Sequence, residues 1–182
     1  MKSLNRFLLP LGGFVLLAVL LAVGLKQAPE KGVIKSPLVG KAAPPYSLPE
    51  LLEPSSTLTS EDYKGRWHIV NVWGSWCFAC RDEHPVLLAL QKANVIPIVG
   101  IDWNDEEAAG REWLSKLGNP YTRVGVDREG RTAIAYGVTA APESFLINPE
   151  GVIVKKVTGM ITPKIWQEEI LPLLGAAGAV KQ

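Results

Sequence analysis

Sulfur and imidazole are scarce in this chain of 182 residues, which holds two cysteines, two methionines and two histidines. One Cys-x-x-Cys and two histidines, His68 on a strand and His84 four residues past Cys80, are a poor set for a four-ligand zinc site. A Cys2His arrangement using His68 or His84 is conceivable but poor. Charge of either sign is also lacking in excess: 19 basic against 18 acidic residues leave a formal charge of +1. That balance gives no reason to expect nucleic acid or an acidic surface as partner. Internal repeats are absent, and the length suits one well-buried domain rather than two.

Charge is missing altogether from Phe7 to Leu25, a run about long enough to cross a bilayer as a helix. Lys2 and Arg6 precede it with no acidic residue, which leaves the N-terminus in the cytoplasm by the positive-inside rule. Lys26, Lys31 and Lys35 on the far side weaken that orientation, and Ala22-Val23-Gly24 offers a mediocre cleavage site for the alternative, a signal peptide. The expectation is an uncleaved transmembrane anchor over residues 1–25, single-pass in a bacterial inner membrane, with the rest on the periplasmic side. Under either reading the remainder is exported to a place where disulfides persist. A tether (26–42, with Pro29, Gly32, Pro37 and Gly40), one domain (43–174) and a frayed tail (175–182) follow.

The two cysteines lie in Trp73-Gly74-Ser75-Trp76-Cys77-Phe78-Ala79-Cys80-Arg81. Strand-type residues, Trp67 to Trp73, precede them, and a helix-compatible segment, Phe78 to about Ala93, follows. This junction places Cys77 at a helix N-terminus, where unpaired N–H groups and the helix dipole favour a thiolate. Cys80 sits one turn on, on the same side, and can reach back. A structural disulfide would be expected to close a longer loop. The pair therefore reads as a two-electron redox switch, and the chain as an oxidoreductase.

Further along, Val95 to Ile101 reads as a strand buried on both faces, Glu106 to Leu117 as a helix stopped by Gly118-Asn119-Pro120, and Tyr121 to Val126 as another strand. A short helix (Thr132 to Tyr136) leads to a hairpin turning at Pro149-Glu150-Gly151, then to a last helix from Pro163 to about Leu174. That order calls for an α/β fold, a mixed sheet with helices on both faces and its antiparallel hairpin at one edge.

Trp76-Cys77-Phe78-Ala79-Cys80, the helix proline Pro85 and the loop Gly137-Val138-Thr139-Ala140-Ala141-Pro142 resemble the motifs of thioredoxin-like proteins. The resemblance implies a thioredoxin fold with a central α/β insertion, and a cis Pro142 beside the dithiol. Asn71-Val72-Trp73, Cys80-Arg81-Asp82-Glu83-His84 and Ala141-Pro142-Glu143-Ser144-Phe145 narrow the likeness. They resemble the membrane-anchored thiol:disulfide interchange proteins of cytochrome c maturation, the DsbE (CcmG) type.

That resemblance implies a catalytic pair, Cys77 and Cys80, with Trp76, Pro142, Glu83, Glu143 and Asn71 around it. Pro142 would leave neighbouring backbone groups free for a substrate segment, and Trp76 would shield the site or meet substrate. Glu83 and Glu143 would bring two carboxylates to the dithiol and disfavour its thiolate, unless each is a solvated surface charge. Asn71 stands where thioredoxin has a buried aspartate and cannot act as an acid. Deprotonation of Cys80 then falls to Glu83 or water. Arg81 and His84 read as helix-surface residues. Thr139-Ala140 and the Phe78-Ala79 dipeptide depart from the narrower family.

The implied partners are apocytochrome c or a cytochrome c maturation thiol protein, and a membrane electron donor that re-reduces the pair. No cofactor or metal is expected. The rivals are a general periplasmic disulfide oxidant, a reductase for other substrates, and a copper chaperone on the same fold.

Overall fold

The computed structural model describes residues 4–27, 36–176 and 178. In chain order its elements are α1 (Leu4–Gln27), β1 (Ser47–Pro49), β2 (Thr57–Thr59), a 3-10 turn (Ser60–Tyr63), β3 (His68–Trp73), α2 (Phe78–Ala93), β4 (Ile98–Trp103), α3 (Glu107–Leu117), β5 (Arg123–Asp127), α4 (Arg131–Ala135), β6 (Glu143–Ile147) and β7 (Ile153–Thr158). A final helix, α5 (163–176), contains a π-helical turn at Trp166–Ile170.

The five-stranded sheet has the order β5-β4-β3-β6-β7. β3, β4 and β5 run parallel, while β6 and β7 are antiparallel, so the expected mixed sheet with its hairpin at one edge is present. β3 lies at the centre and is buried at every position. Its alternation explains how: Ile69 and Trp73 enter a core with Leu87, Trp113, Val124 and Trp166, while Val70 and Val72 enter a second core with Tyr46, Leu58, Tyr136 and Phe145. Two-sided burial is worth roughly 1.5–3 kcal/mol for each large aliphatic side chain. It also sets the register, because a one-residue slip would exchange the two faces. α2, α3 and α5 cover the first face; α4 and the β1–β2 ribbon cover the second.

β4 starts at Ile98 rather than Val95. Pro97 has no N–H to give the ladder, although its carbonyl still accepts from Ile69 (2.9 Å). The folded unit also starts earlier than Ala43, at Ser36. Gly40 N–H donates to Ile153 O (2.8 Å) and Ala43 N–H to Gly151 O (2.8 Å), which ties the end of the expected tether to the hairpin. Residues 28–35 of that tether, and 177 and 179–182 of the expected tail, lie outside the described residues. The backbone is helical from Leu4 to Gln27, with side chains described for 10–23. Among the described residues no helix is long and apolar enough to cross a membrane.

Gly100, in the middle of β4, marks a close approach on the first face. A Cβ there would lie 2.9 Å from both Trp73 Nε1 and Tyr121 Cγ, two rings stacked on each other in the core. Gly100→Ala is expected to lower unfolding stability by roughly 1–3 kcal/mol through overpacking. Urea denaturation checks this; an unchanged midpoint would show that the rings have room to move.

Candidate active site

The polypeptide leaves β3 at Trp73, turns through Gly74-Ser75-Trp76, and enters α2 with Cys77 as its N-cap (φ −92°, ψ 111°). Cys77 Sγ accepts the Cys80 N–H at 3.1 Å, so a thiolate formed here meets one of the free donors of the first helical turn. Cys77 and Cys80 are joined as a disulfide, and both are buried. The expected loop lies beside them: the Ala141–Pro142 bond is cis, and Ala141 O is 3.3 Å from Cys77 Sγ. Trp76 is half exposed, held by a bond from its Nε1 to Trp103 O (3.2 Å) and by edge-on packing against the Trp103 ring. Phe78 is 86% exposed, the most solvent-facing large apolar side chain among the described residues, and it stands between the two cysteines in sequence.

Beneath the disulfide the structure decides what the sequence left open. Glu83 is 1% exposed and Glu143 fully buried, so neither is a solvated charge. Glu83 Oε1 accepts from Ile161 N–H (2.6 Å) and Oε2 from Asn71 Nδ2 (3.1 Å). Burial pushes its carboxyl up from 4.5 to about 7, against the pull of those two donors on the ionised form. Near neutral pH this group can therefore both hold and accept a proton. It lies one helical turn from Cys80 on the same buried face, with Cβ atoms about 5–6 Å apart by helix geometry. That suits a proton acceptor for the resolving thiol. Asn71 is also buried; its amide donates to Ser144 Oγ (2.9 Å) and accepts from the Tyr121 hydroxyl (2.9 Å).

Glu143 behaves differently. Its Oε2 pairs with Lys156 Nζ at 2.7 Å, and its Oε1 accepts from the Thr139 hydroxyl (3.0 Å). Lys156 also donates to Gly137 O (2.8 Å), so one ammonium ties both ends of the proline loop to β7. In register Glu143 stands opposite Val72, whose side chain enters the second core, whereas Cys80 belongs to the first, so of the two carboxyls it is Glu83 that shares a face with the dithiol.

One of the two surface readings is corrected. His84 is 4% exposed, with Nε2 3.0 Å from Gly118 O and its ring packed edge-on against Trp113, so it is a core histidine. Arg81 is exposed, as expected, with its guanidinium over the Trp113 ring at 5.5 Å. Among the described residues no group of three or more side chains suited to a metal ion occurs. Sequence reasoning missed Lys156, Tyr121, Ser144 and the Ile161 N–H. Their partners are far along the chain and meet the site only through sheet register and the packing of α5's lead-in, which no local pattern announces.

The AhpC/TSA family matches residues 39–156. The chain is 41% identical to the thiol:disulfide interchange protein DsbE of Allochromatium vinosum over 172 residues, 94% of each protein. It is 42% identical to the protein of that name from Pseudomonas aeruginosa over 166 residues, 91% of each. Among solved structures, a thiol-disulfide oxidoreductase from Bacteroides fragilis superposes with a TM-score of 0.63 at 24% identity, covering 74% of this chain and 100% of that one. The last comparison speaks for the thioredoxin-type fold alone.

Removing Lys156 should be costly, because Glu143 would remain as a buried, unpaired charge. Lys156→Met is expected to destabilise the protein by about 3–5 kcal/mol, and Glu143→Gln added to it to restore most of that loss. Denaturant titration of the two variants provides the check. Equal stability of the single and double variants would mean that the pair contributes nothing to holding the loop.

Proposed function

The chain belongs to the AhpC/TSA family and, within it, to the DsbE thiol:disulfide interchange proteins, and from that premise we propose that it is a dedicated reductant in an exported, oxidising compartment. The observation that carries the chemistry is the Cys77–Cys80 disulfide at the start of α2, with Cys77 Sγ bonded to the Cys80 N–H. In the reduced protein Cys77 thiolate attacks one sulfur of a substrate disulfide and expels the other as a thiolate. A mixed disulfide results. Cys80, losing its proton to Glu83, then attacks Cys77 Sγ, releases the second substrate thiol and closes the Cys77–Cys80 bond. Two electrons pass from protein to substrate, and the structure describes the oxidised product.

The substrate we propose is the pair of haem-attachment cysteines of apocytochrome c, or a cytochrome c maturation thiol protein that passes electrons on. Support comes from Asn71-Val72-Trp73, Cys80 to His84 and Ala141 to Phe145, which resemble the cytochrome c maturation type. Because such a compartment has no reducing pool, a membrane electron donor must return two electrons for each turnover. The uncharged run Phe7–Leu25 supports an anchor in a bacterial inner membrane, with the dithiol domain in the periplasm. An anchor would raise the effective concentration of donor and acceptor alike.

Two measurements test this. Equilibration of the exported domain with reference thiols should give a potential well below the roughly −120 mV of a strong periplasmic oxidant; a value near it would favour the general-oxidant reading. Cys80→Ser should accumulate mixed disulfides through Cys77, and Cys77→Ser few or none, since only the first keeps the nucleophile and lacks the resolving thiol. Equal trapping would reverse the two assignments.

A further inference from the structure

The active-site turn is held from outside its own strand and helix. Ser75 N–H donates to Asp105 Oδ2 (2.5 Å) and Ser75 Oγ to Asp105 Oδ1 (2.9 Å), while Trp76 Nε1 donates to Trp103 O. Both anchors come from the end of β4 and the loop into α3. Asp102, on the same strand end, has no such task. It is 1% exposed, and neither carboxyl oxygen meets a donor among the described residues. A carboxylate left so is among the costliest arrangements a core can hold, and the usual escape is protonation. The fold makes room for this group. Gly110 on α3 faces it so closely that a Cβ there would lie 2.6 Å from Asp102 Oδ2.

We propose that Asp102 is kept as the neutral acid and, with Asp105, acts as a positioning residue for the turn Gly74-Ser75-Trp76, so that the seating of Cys77 depends on the protonation of a carboxyl that never touches the sulfur. Asp105 is fully engaged in the turn, accepting from Ser75 N–H, Ser75 Oγ and its own neighbour Glu106 N–H (2.8 Å), whereas Asp102, three residues earlier on the same strand end, meets no donor. Burial first, and the Asp105 charge second, hold the Asp102 carboxyl at about 8. The folded value lies above the ordinary one, so the arrangement is intact below it and is lost as pH rises through about 8. Two facing carboxylates then repel, and Asp105 is driven off Ser75.

Arg81 on α2, which lines the same cleft as Ser75, lies over the Trp113 ring, and the other charges near the pair are engaged elsewhere. On α3, Arg111 pairs with Glu107 (2.6 Å) and donates to Leu51 O. After β5, Arg128 pairs with Glu106 (2.6 Å) and donates to Asp105 O rather than to its carboxylate. Asp127 accepts from the N–H groups of Thr132 and Ala133. Tyr121 is committed to Asn71, and through it to Glu83 on α2. From β3 the neighbour of Asp102 in register is Trp73, which is neutral.

The test uses the oxidised protein, in which neither cysteine titrates. The Ser75 amide resonance is followed by NMR through a pH series. It should move with a midpoint near 8 in the wild type, the value at which Asp102 loses its proton. In Asp102→Asn, which keeps the shape and the neutral charge, it should stay at the wild-type acid position throughout. Asp105→Asn removes the neighbouring charge, so the Asp102 transition, read at the Gly110 amide, should move to lower pH. The rate of disulfide opening by an external thiol gives the functional readout. The ratio of wild type to Asp102→Asn should be near unity at acid pH and fall below it above the transition. A flat Ser75 resonance in the wild type, or a transition that survives Asp102→Asn, overturns the proposal. So does a rate ratio that stays at unity throughout.

Discussion

Much of what surrounds the disulfide is fastened to one buried amide. Asn71 sits at the middle of the central strand, where backbone pairing on both sides excludes water, and its side chain joins three elements at once. It bonds Glu83 on α2, Ser144 on β6 and Tyr121 before β5. An unsatisfied amide at that depth would cost several kcal/mol, so the three partners are constrained to the geometry that satisfies it. Glu83 is thereby drawn into the core beneath the cysteines, and the strand that continues from the cis-proline loop is aligned with the strand that leads to Cys77.

From that arrangement follows a division of labour between two carboxyls that look equivalent. Glu83 has only neutral donors, Ile161 N–H and the Asn71 amide, so desolvation dominates and its proton affinity rises. Glu143 has an ammonium at 2.7 Å and is anchored as part of an ion pair. One can exchange protons with the dithiol near neutral pH, whereas the other holds the loop that would meet substrate. The helix N-terminus favours a thiolate at Cys77, while burial disfavours charge on the reduced Cys80.

The parts of this design that are local in sequence were legible there. The Cys-x-x-Cys, the strand before it, the helix from Phe78 to Ala93, the hairpin and the cis-proline loop each depend on neighbouring residues, and each lies where residue pattern or resemblance puts it. Burial of Glu83 was not legible, because a glutamate one turn along an amphipathic helix is usually on its wet face. Its inward position depends on α5's lead-in presenting the Ile161 N–H. Lys156 was equally hidden: two consecutive lysines in a strand point to opposite faces, and only the β6–β7 register decides which one meets Glu143. His84 misled for the reverse reason, since the acidic and basic residues just before it suggest an exposed helix face that α3 in fact covers.

The most direct test is the ionisation of Glu83 itself. The side-chain carboxyl of isotopically labelled protein can be followed by carbon NMR through a pH titration in the oxidised form, with Glu83→Gln to assign the signal. A midpoint near 7, moving down in an Asn71→Asp variant only if that aspartate is itself protonated and donating, agrees with a carboxyl governed by burial and two neutral donors. A midpoint at the ordinary 4.5 would contradict it, and would return the deprotonation of Cys80 to water.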